Sequence, residues 1–310
     1  MNTYQDIYQQ WLNNNYFDQE TKTELLKIQN DEKEIEDRFY KNLEFGTGGL
    51  RGVIGAGTNR INKYTVRRAT FGLANYILEK CGEEGKNKGV VIAYDSRYKS
   101  EEFCIEASKT LAACGIKTYI FDSLRPTPQL SFAVRHLGCV AGIVITASHN
   151  PPEYNGYKVY WTDGGQVCPD IAKEIITEVN KIEDYSTIPT TDSNSELIVT
   201  LDEDVDKAFC DAVKKQVINQ GLINKVGKDL KIIFTPIHGT GNLPIRRVLS
   251  EVGFENVSVV KEQEMPDSNF STVAYPNPEE KEVFDIAIEM AKKDGADIII
   301  GTDPDCDRVG

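Results

Sequence analysis

The chain has 310 residues, of which 40% are hydrophobic and 27% charged, as in a soluble globular protein of about two domains. Its formal net charge of -13 argues against nucleic acid and acidic membranes as partners, and an anionic substrate would need basic residues gathered in one cleft. The sequence has no apolar stretch long enough to span a membrane and no signal-peptide pattern at its start. Seven cysteines without paired spacing indicate free thiols, so we expect a cytoplasmic protein.

The first 43 residues carry apolar side chains at helical spacing, which predicts an N-terminal helical segment that packs as a cap. The next run, Phe45 to Gly52, is rich in glycine and contains Arg51. Glycines let backbone amides approach an anion closely, and an arginine can bind phosphate through two hydrogen bonds. The spacing does not match a dinucleotide fingerprint. From these residues alone, a flexible loop and a phosphate site both stay open.

Strands and helices then alternate, which predicts an α/β layered domain. Thr65 is the expected N-cap of a helix at 65–80, with Gly82 just past its end. The other predicted helices and strands of this half are helices at 100–115, 127–138 and 169–182, and strands at 89–94, 117–121, 139–145 and 154–161.

Residues 183–195 are rich in Asp, Ser and Thr, which predicts a linker and a boundary near residue 200 between domains at 1–200 and 201–310. The elements expected in the second half are helices at 202–220 and 278–293, and strands at 229–234 and 296–300. The predicted fold class is α/β: two consecutive α/β/α layered domains with mixed sheets, preceded by the helical segment.

A polar loop, Thr146-Ala147-Ser148-His149-Asn150-Pro151, follows the strand at 139–145. A serine in a proline-braced loop at a strand end lies where α/β domains usually keep their chemistry, although a plain polar turn is the commoner meaning of such a loop. The Gly-x-Ser-x-Gly elbow of serine hydrolases is absent. His149 is expected to be poorly placed as a base for Ser148, because adjacent residues in extended chain point opposite ways. Lys158 lies in the next strand, where it is either solvated or carried back toward the serine.

A second loop, Gly301-Thr302-Asp303-Pro304-Asp305-Cys306-Asp307-Arg308, follows the strand at 296–300. Its three alternating carboxylates would repel one another unless a cation lay among them, and Mg²⁺ prefers oxygen ligands. An EF-hand would need a glycine where Arg308 stands, and a phosphatase using Asp303 as nucleophile would leave the serine loop unexplained. Arg308 adds positive charge suited to a transferring phosphoryl group.

Two of the three histidines lie elsewhere in the chain. His238 follows a strand in a glycine-rich turn, where it could contact phosphate or support the structure. His136 lies in an amphipathic helix and is expected to be structural.

The serine loop and the aspartate loop together resemble those of the α-D-phosphohexomutase superfamily, the phosphoglucomutase and phosphomannomutase enzymes. The early Phe-Gly-Thr-Gly-Gly-Leu-Arg-Gly segment and the Asn-Gly-Tyr-Lys run at 155–158 add to the resemblance, which extends from Phe45 to Gly310. It implies an N-terminal two-domain fragment of a four-domain enzyme, with the second domain incomplete and the sugar-binding loop and distal phosphate clamp outside this chain.

The resemblance implies a phosphosugar mutase that moves a phosphoryl group between the 1- and 6-positions of a hexose phosphate, through a phosphoserine and a bisphosphate intermediate. The implied cofactors are Mg²⁺ and a hexose 1,6-bisphosphate, and the implied partner is a sugar phosphate. The implied site residues fall into three overlapping sets: catalytic Ser148, Lys158, His149 and Arg51; phosphate-binding Arg51, Asn150, Lys158 and Arg308; and metal-binding Ser148, Asp303, Asp305 and Asp307.

Two alternatives stay open at this point: a phosphopentomutase of the same superfamily, and a non-catalytic sugar-phosphate or metal-binding module. The early glycine-rich run favours the phosphoglucomutase and phosphopentomutase branch. The choice of sugar depends on a loop outside the chain. On its own, the chain is expected to fold but to show no detectable mutase turnover.

Overall fold

Residues 3–46 and 48–310 are described by a computed structural model of the chain. The α-helices in this part are α1 (Tyr4–Asn13), α2 (Gln19–Lys27), α3 (Glu32–Phe39), α4 (Lys63–Lys88), α5 (Ser100–Ala113), α6 (Thr127–Leu137), α7 (Pro169–Asn180), α8 (Glu203–Lys214), α9 (Gln220–Val226), α10 (Asn242–Val252), α11 (Lys261–Glu264) and α12 (Asp285–Asp294). The strands are β1 (Gly49–Val53), β2 (Val90–Tyr94), β3 (Thr118–Phe121), β4 (Ala141–Ile145), β5 (Tyr154–Trp161), β6 (Ile198–Leu201), β7 (Ile232–Thr235), β8 (Val257–Val259) and β9 (Ile298–Gly301). Short 3-10 helices occupy Tyr185–Thr187 and Lys281–Phe284.

The N-terminal helices α1 to α3 each begin with a side-chain cap, since Thr3, Asp18 and Asp31 accept backbone N–H groups of the first turn. Their apolar faces meet in an aromatic cluster in which Trp11 stacks on Phe17, with ring centroids 4.2 Å apart. The predicted N-terminal helical segment is therefore confirmed.

The first sheet has six strands in the order β1-β5-β4-β2-β3-β6. Strands β4, β2, β3 and β6 pair in parallel, and β5 and β1 are antiparallel additions at one side. Every residue of β2 and β4 is buried, as expected for central strands covered by helices on both faces. The carboxyl ends of β2 and β4 lie side by side, which places the loops that follow them at one edge of the sheet.

The second sheet has three strands in the order β8-β7-β9, all parallel. Mixed pairing was predicted for both sheets, but here the strands are all parallel, and the antiparallel bridge Thr302–Val309 lies outside them. Phe284 and Ala287 belong to the apolar cluster of this unit. The predicted α/β fold class, with layered units that follow an N-terminal helical segment, is confirmed.

Several predicted bounds differ from the structure. Helix α4 begins earlier than expected, because Asn62 rather than Thr65 is its N-cap, and it continues past Gly82, which kinks it with a φ of 53°. The helix predicted at 202–220 ends earlier, at Lys214, and a separate helix, α9, begins at Gln220. The helix predicted at 278–293 begins as a 3-10 turn.

The segment at 183–195 is anchored rather than free, because Tyr185 and Ile188 join the aromatic cluster of the N-terminal helices. β6 follows it as the edge strand of the first sheet, ending at Leu201, close to the predicted boundary. No helix among residues 3–46 and 48–310 combines the length and the hydropathy needed to cross a bilayer.

Candidate active site

The serine loop leaves β4 as a tight turn. Ser148 adopts a left-handed conformation with a φ of 55°. Two hydrogen bonds close the turn: the Ser148 N–H donates to Thr146 Oγ1 at 2.8 Å, and the Asn150 N–H donates to the Ala147 carbonyl at 3.1 Å. A positive φ at a residue other than glycine is sterically unfavourable, so the surrounding contacts must hold it.

The hydroxyl of Ser148 has two polar neighbours. It donates to Asp303 Oδ2 at 2.9 Å, and its Oγ lies 3.2 Å from His149 Nδ1. The expectation that His149 would point away from Ser148 is therefore wrong. The left-handed turn at Ser148 removes the alternation of side chains that extended chain would impose. Burial, together with the charges of Arg308 and Arg51, lowers the pKa of His149.

Arg97 holds the serine loop in place. Its guanidinium donates four hydrogen bonds to backbone carbonyls of the loop and of the start of β5, at 2.5–3.0 Å: those of Ser148, Asn150, Pro151 and Tyr154. Asp95 lies 3.4 Å from Arg97 Nε, and both side chains are fully buried. From the second unit, the ring of Phe270 covers the guanidinium at 5.0 Å. Sequence reasoning missed Arg97, although Asp95-Ser96-Arg97 directly follows buried β2.

The aspartate loop gathers its carboxylates as predicted. One oxygen each from Asp303, Asp305 and Asp307 lies within 4.8 Å of the others. Asp303 Oδ1 accepts the backbone N–H groups of Asp307 and Arg308, which fixes its orientation. Burial and the nearby charge of Asp305 raise the pKa of Asp303 well above its usual range.

These residues fit a divalent cation. Asp305 Oδ1 is buried without a hydrogen-bond partner among the described residues, an arrangement that is costly unless a cation binds there. Carboxylate oxygens are the ligands that Mg²⁺ prefers. Asp303, Asp305 and the Ser148 hydroxyl therefore converge on one place that could hold Mg²⁺.

The aspartate loop is attached to both units. The Thr127 N–H donates to the Asp305 carbonyl, and Thr127 Oγ1 donates to Asp305 Oδ2, both at 2.9 Å. On the other side, Thr240 donates to the Pro304 carbonyl from its N–H and its hydroxyl. Gly239 allows this approach, since a Cβ there would lie 2.5 Å from Pro304 Cα. Thr127 is a second contact that the sequence did not reveal.

Lys158 was expected to return toward the serine loop, and from β5 it also reaches the aspartate loop. Its Nζ lies 2.9 Å from Asp305 Oδ2 and 3.6 Å from Asp307 Oδ2. Burial opposes the charge of Lys158, but the two carboxylates outweigh it and raise the pKa of the lysine. Lys158 is thus a largely buried cation held by the aspartate loop, and it lines the same cavity as Ser148.

Of the remaining predicted residues, Arg51 and Arg308 line an open cavity of about 370 Å³ beside Ser148, whereas Asn150 does not. Arg51 lies on β1 and donates from Nη1 to Asn150 Oδ1 at 3.1 Å. Arg308 also lines the cavity but pairs with Glu279 at 2.8 Å. Gly46, Gly48 and Gly49 line it from the glycine-rich run, of which Thr47 lies outside the described residues.

The other two histidines are structural. His238 is buried, and its ring nitrogens lie 2.9 Å from the Met265 carbonyl and Thr272 Oγ1, so it ties down a loop of the second unit. His136 stacks on Phe132 at 5.1 Å. The phosphate contact considered for His238 is not what these bonds support.

A strained serine, three clustered carboxylates and three cationic side chains around one cleft form a site suited to phosphoryl transfer. The chain matches the family descriptions "Phosphoglucomutase/phosphomannomutase, alpha/beta/alpha domain I" over residues 42–186 and "domain II" over residues 207–310. It belongs to the phosphoglucomutase/phosphomannomutase family, the α-D-phosphohexomutase superfamily.

Relatives and solved structures agree with this assignment. The phosphoglucomutase of Staphylococcus haemolyticus is 44% identical over 276 residues, which cover 89% of this chain and 49% of that protein. A Staphylococcus aureus phosphoglucomutase is 39% identical, with 90% and 50% covered. The structure of a phosphomannomutase described as putative, from Thermus thermophilus, superposes with a TM-score of 0.70 at 29% identity, with 87% of this chain and 56% of that chain covered. The chain spans about half the length of the curated relatives it matches.

Proposed function

We propose that this chain supplies the nucleophile and the metal loop of a phosphosugar mutase of the phosphoglucomutase type, with Ser148 as the residue that is phosphorylated. The observation that carries the proposal is the 2.9 Å contact between Ser148 Oγ and Asp303 Oδ2, which sets the nucleophile against a carboxylate cluster suited to a cation. The preference for glucose phosphates is supported by the Staphylococcus relatives, which are named phosphoglucomutase.

The metal ligands in this proposal are Asp303, Asp305, Asp307 and an oxygen on Ser148. Mg²⁺ bound there would supply positive charge against the oxygens of the transferring phosphoryl group. The two carboxylates that also contact Lys158, namely Asp305 and Asp307, keep that lysine at the site.

The chemistry has two transfers. A hexose 1,6-bisphosphate first gives one phosphoryl group to Ser148 Oγ: the sugar O–P bond breaks, the Ser148 O–P bond forms, and the hydroxyl proton passes to the departing sugar oxygen. His149 Nδ1, 3.2 Å from Oγ, can relay that proton once the hydroxyl turns away from Asp303. The phosphoryl group then passes from Ser148 to a free hydroxyl of a sugar monophosphate. The oxygen of that hydroxyl bonds to phosphorus as the Ser148 O–P bond breaks, and the proton that the hydroxyl loses is balanced by the one that Ser148 Oγ regains.

The cations of the cleft stabilise the charge that moves in these steps. Arg51, Lys158 and Arg308 all line the cavity beside Ser148. Arg97 keeps the serine turn in the geometry that in-line transfer requires, since a displaced nucleophile loses most of the benefit of positioning.

The proposal is tested by incubating the purified chain with Mg²⁺ and glucose 1,6-bisphosphate and mapping the product by peptide mass spectrometry. One added phosphoryl group at Ser148, absent in Ser148→Ala, is expected. Phosphate at another residue would refute the assignment, and its complete absence would favour a non-catalytic binding module. Parallel incubation with ribose 1,5-bisphosphate separates the hexose proposal from the phosphopentomutase alternative.

Turnover is a separate matter from phosphorylation. In this proposal the clamp for the distal phosphate belongs to parts of the enzyme that the relatives contain beyond the matched half. The chain alone should therefore convert glucose 1-phosphate to glucose 6-phosphate on the order of 10⁵-fold more slowly than a full-length relative, the loss expected when substrate positioning is removed. A coupled glucose 6-phosphate assay measures this, and a rate within tenfold of the relative would contradict it.

A further inference from the structure

A second cavity, of about 960 Å³, lies between the N-terminal helices and the segment after α7, and none of its lining residues lines the cleft beside Ser148. Its volume is at the upper end of the range for small-molecule sites. Trp11 and Arg68 both line it. It is therefore a candidate site separate from the transfer chemistry.

Arg68 is the unusual feature of this cavity. Arg60, Arg68 and Arg97 are the buried arginines of the described residues, with exposures of 7%, 7% and 3%. Arg60 pairs with Asp37, and Arg97 lies against Asp95. Arg68 makes no ion pair within the described residues, and its one hydrogen bond there runs from Nε to the Ile182 carbonyl at 3.0 Å. Both Nη atoms are left without a protein acceptor.

The acidic residues near the cavity do not neutralise Arg68. The Asp184 carboxylate accepts the N–H and the hydroxyl of Ser186 at 2.8 and 2.7 Å, and Glu183 is exposed. The Tyr185 hydroxyl is buried without a partner in the described part of the chain. The buried Tyr185 hydroxyl is costly to leave unpaired, and the two Nη atoms of Arg68, which face the cavity without an acceptor among the described residues, would bind an oxyanion directly.

The rest of the lining indicates the body of the ligand. Amide side chains both donate to and accept from hydroxyl groups, and they are numerous here. They are Gln10, Asn13, Asn14, Asn42 and Asn180. We propose that this cavity binds a small polyhydroxy organic anion, with its carboxylate or phosphate on the Nη atoms of Arg68 and its hydroxyls on the amides.

The chain offers a local reporter for the test. Its two tryptophans are Trp11, which lines the cavity, and Trp161, which packs on Tyr76 in a different apolar cluster. In a Trp161→Phe background, fluorescence therefore reports on Trp11 alone. The probes are gluconate as a polyhydroxy carboxylate, glycerol 3-phosphate as a phosphate, and sorbitol as an uncharged polyol.

A saturable change in Trp11 fluorescence is expected with gluconate, glycerol 3-phosphate or both, and not with sorbitol. Which anion binds more tightly separates a carboxylate ligand from a phosphate. Arg68→Met should weaken binding at least about tenfold, because the charge-assisted bonds are lost. Lys80→Met, which removes the same charge from the same helix at an exposed ion pair with Glu174, should leave the affinity unchanged.

Should Arg68→Met fail to fold, Arg68→Lys keeps the charge but loses the forked geometry, so a several-fold weakening is expected from it. No saturable response to either anion at concentrations up to on the order of 10 mM would overturn the proposal. Equal affinities in wild type and the folded Arg68 variants would overturn it as well. Neither result bears on phosphorylation of Ser148.

Discussion

Ser148 Oγ donates a hydrogen bond to Asp303 Oδ2 at 2.9 Å, although 155 positions separate the two residues and each lies in a loop of a different sheet. Each loop follows a buried strand, β4 for Ser148 and β9 for Asp303. The candidate site therefore forms only where two units with separate hydrophobic cores meet. We expect contacts that hold those units together to affect the proposed chemistry as well as stability.

Phosphorylation of Ser148 should tighten the binding of Mg²⁺. Three carboxylates supply only part of an octahedral shell, and a phosphoserine oxygen adds a charged ligand where the Ser148 hydroxyl already contacts Asp303. Isothermal calorimetry on the two forms should show at least about tenfold tighter binding by the phosphorylated protein. Equal affinities would mean that Ser148 does not face the metal.

Substitutions of Arg97 and Arg51 should have different effects, because Arg97 positions the serine loop whereas Arg51 lies where it could contact phosphate directly. Arg97→Met removes four hydrogen bonds to carbonyls and leaves buried Asp95 without its cation, so we expect a loss of about 3–5 kcal/mol in free energy of unfolding and slower phosphorylation of Ser148. Arg51 is exposed, so Arg51→Met should change the free energy of unfolding by less than about 0.5 kcal/mol while also slowing phosphorylation.

Urea unfolding and timed mass spectrometry measure the two effects of these substitutions. Arg97→Lys is the matched variant, since it keeps the charge but cannot reproduce the forked bonds. If Arg97→Met unfolds like wild type, Arg97 does not hold the loop.

Gly156 should be required for the close packing of β5 on the serine loop. A Cβ at this position would lie 2.3 Å from the Thr146 carbonyl oxygen and 3.0 Å from that of Leu50. Gly156→Ala should therefore cost about 1–3 kcal/mol in free energy of unfolding and slow phosphorylation by displacing the turn. Gly221→Ala on α9 is the control. A Cβ at this position would approach only Asn219 Oδ1 among the described residues, at 3.6 Å, so the helix should be unchanged or slightly more stable. A fully active Gly156→Ala protein would contradict this account.

The free energy of unfolding should fall at low pH as Asp18 becomes protonated, because the charged side chain caps α2 and pairs with Lys63 of α4. Burial alone would raise the pKa of Asp18, but hydrogen bonds from Lys63 and Thr21 outweigh it and lower the pKa from 3.8 to about 2. Because the folded-state pKa is depressed, this stabilisation is present above pH 3.8 and is lost as the pH falls through about 2.

Asp18→Asn keeps a capping side chain without the charge, so it should lose less stability than wild type over that pH window. Thermal melts at matched pH values test this. Parallel curves for the two proteins would show that the charge of Asp18 contributes nothing.

The sequence predicted the parts of the site that depend on local pattern. Buried strands followed by polar loops located Ser148 and Asp303, and alternation along β5 placed Lys158 on the side of the serine. The meeting of the two loops rested on the family resemblance, because nothing local encodes a contact across 155 positions.

What the sequence did not predict depends on backbone geometry or distant contacts. Arg97 donates to backbone carbonyls of a chain segment about 50 positions away. Because every residue has a backbone carbonyl, the sequence does not show which ones a side chain binds. His149 lies near Ser148 because Ser148 itself has a positive φ, and no residue type in the loop predicts that conformation. The segment at 183–195 is polar in composition, yet Tyr185 and Ile188 alone suffice to fix it against the core.

The two anchors of the aspartate loop, Thr127 and Thr240, lie in different units, and all strands of the first sheet are complete by Leu201. During synthesis from the N-terminus, where domains generally fold as units, Ser148 can thus be exposed at the ribosome well before any of the three clustered aspartates has been translated. The nascent protein therefore passes through an interval in which the Ser148 turn is folded but has no carboxylate cluster beside it. Under the proposed function, phosphoryl transfer could begin only when residues 303–307 have emerged and docked on Thr127.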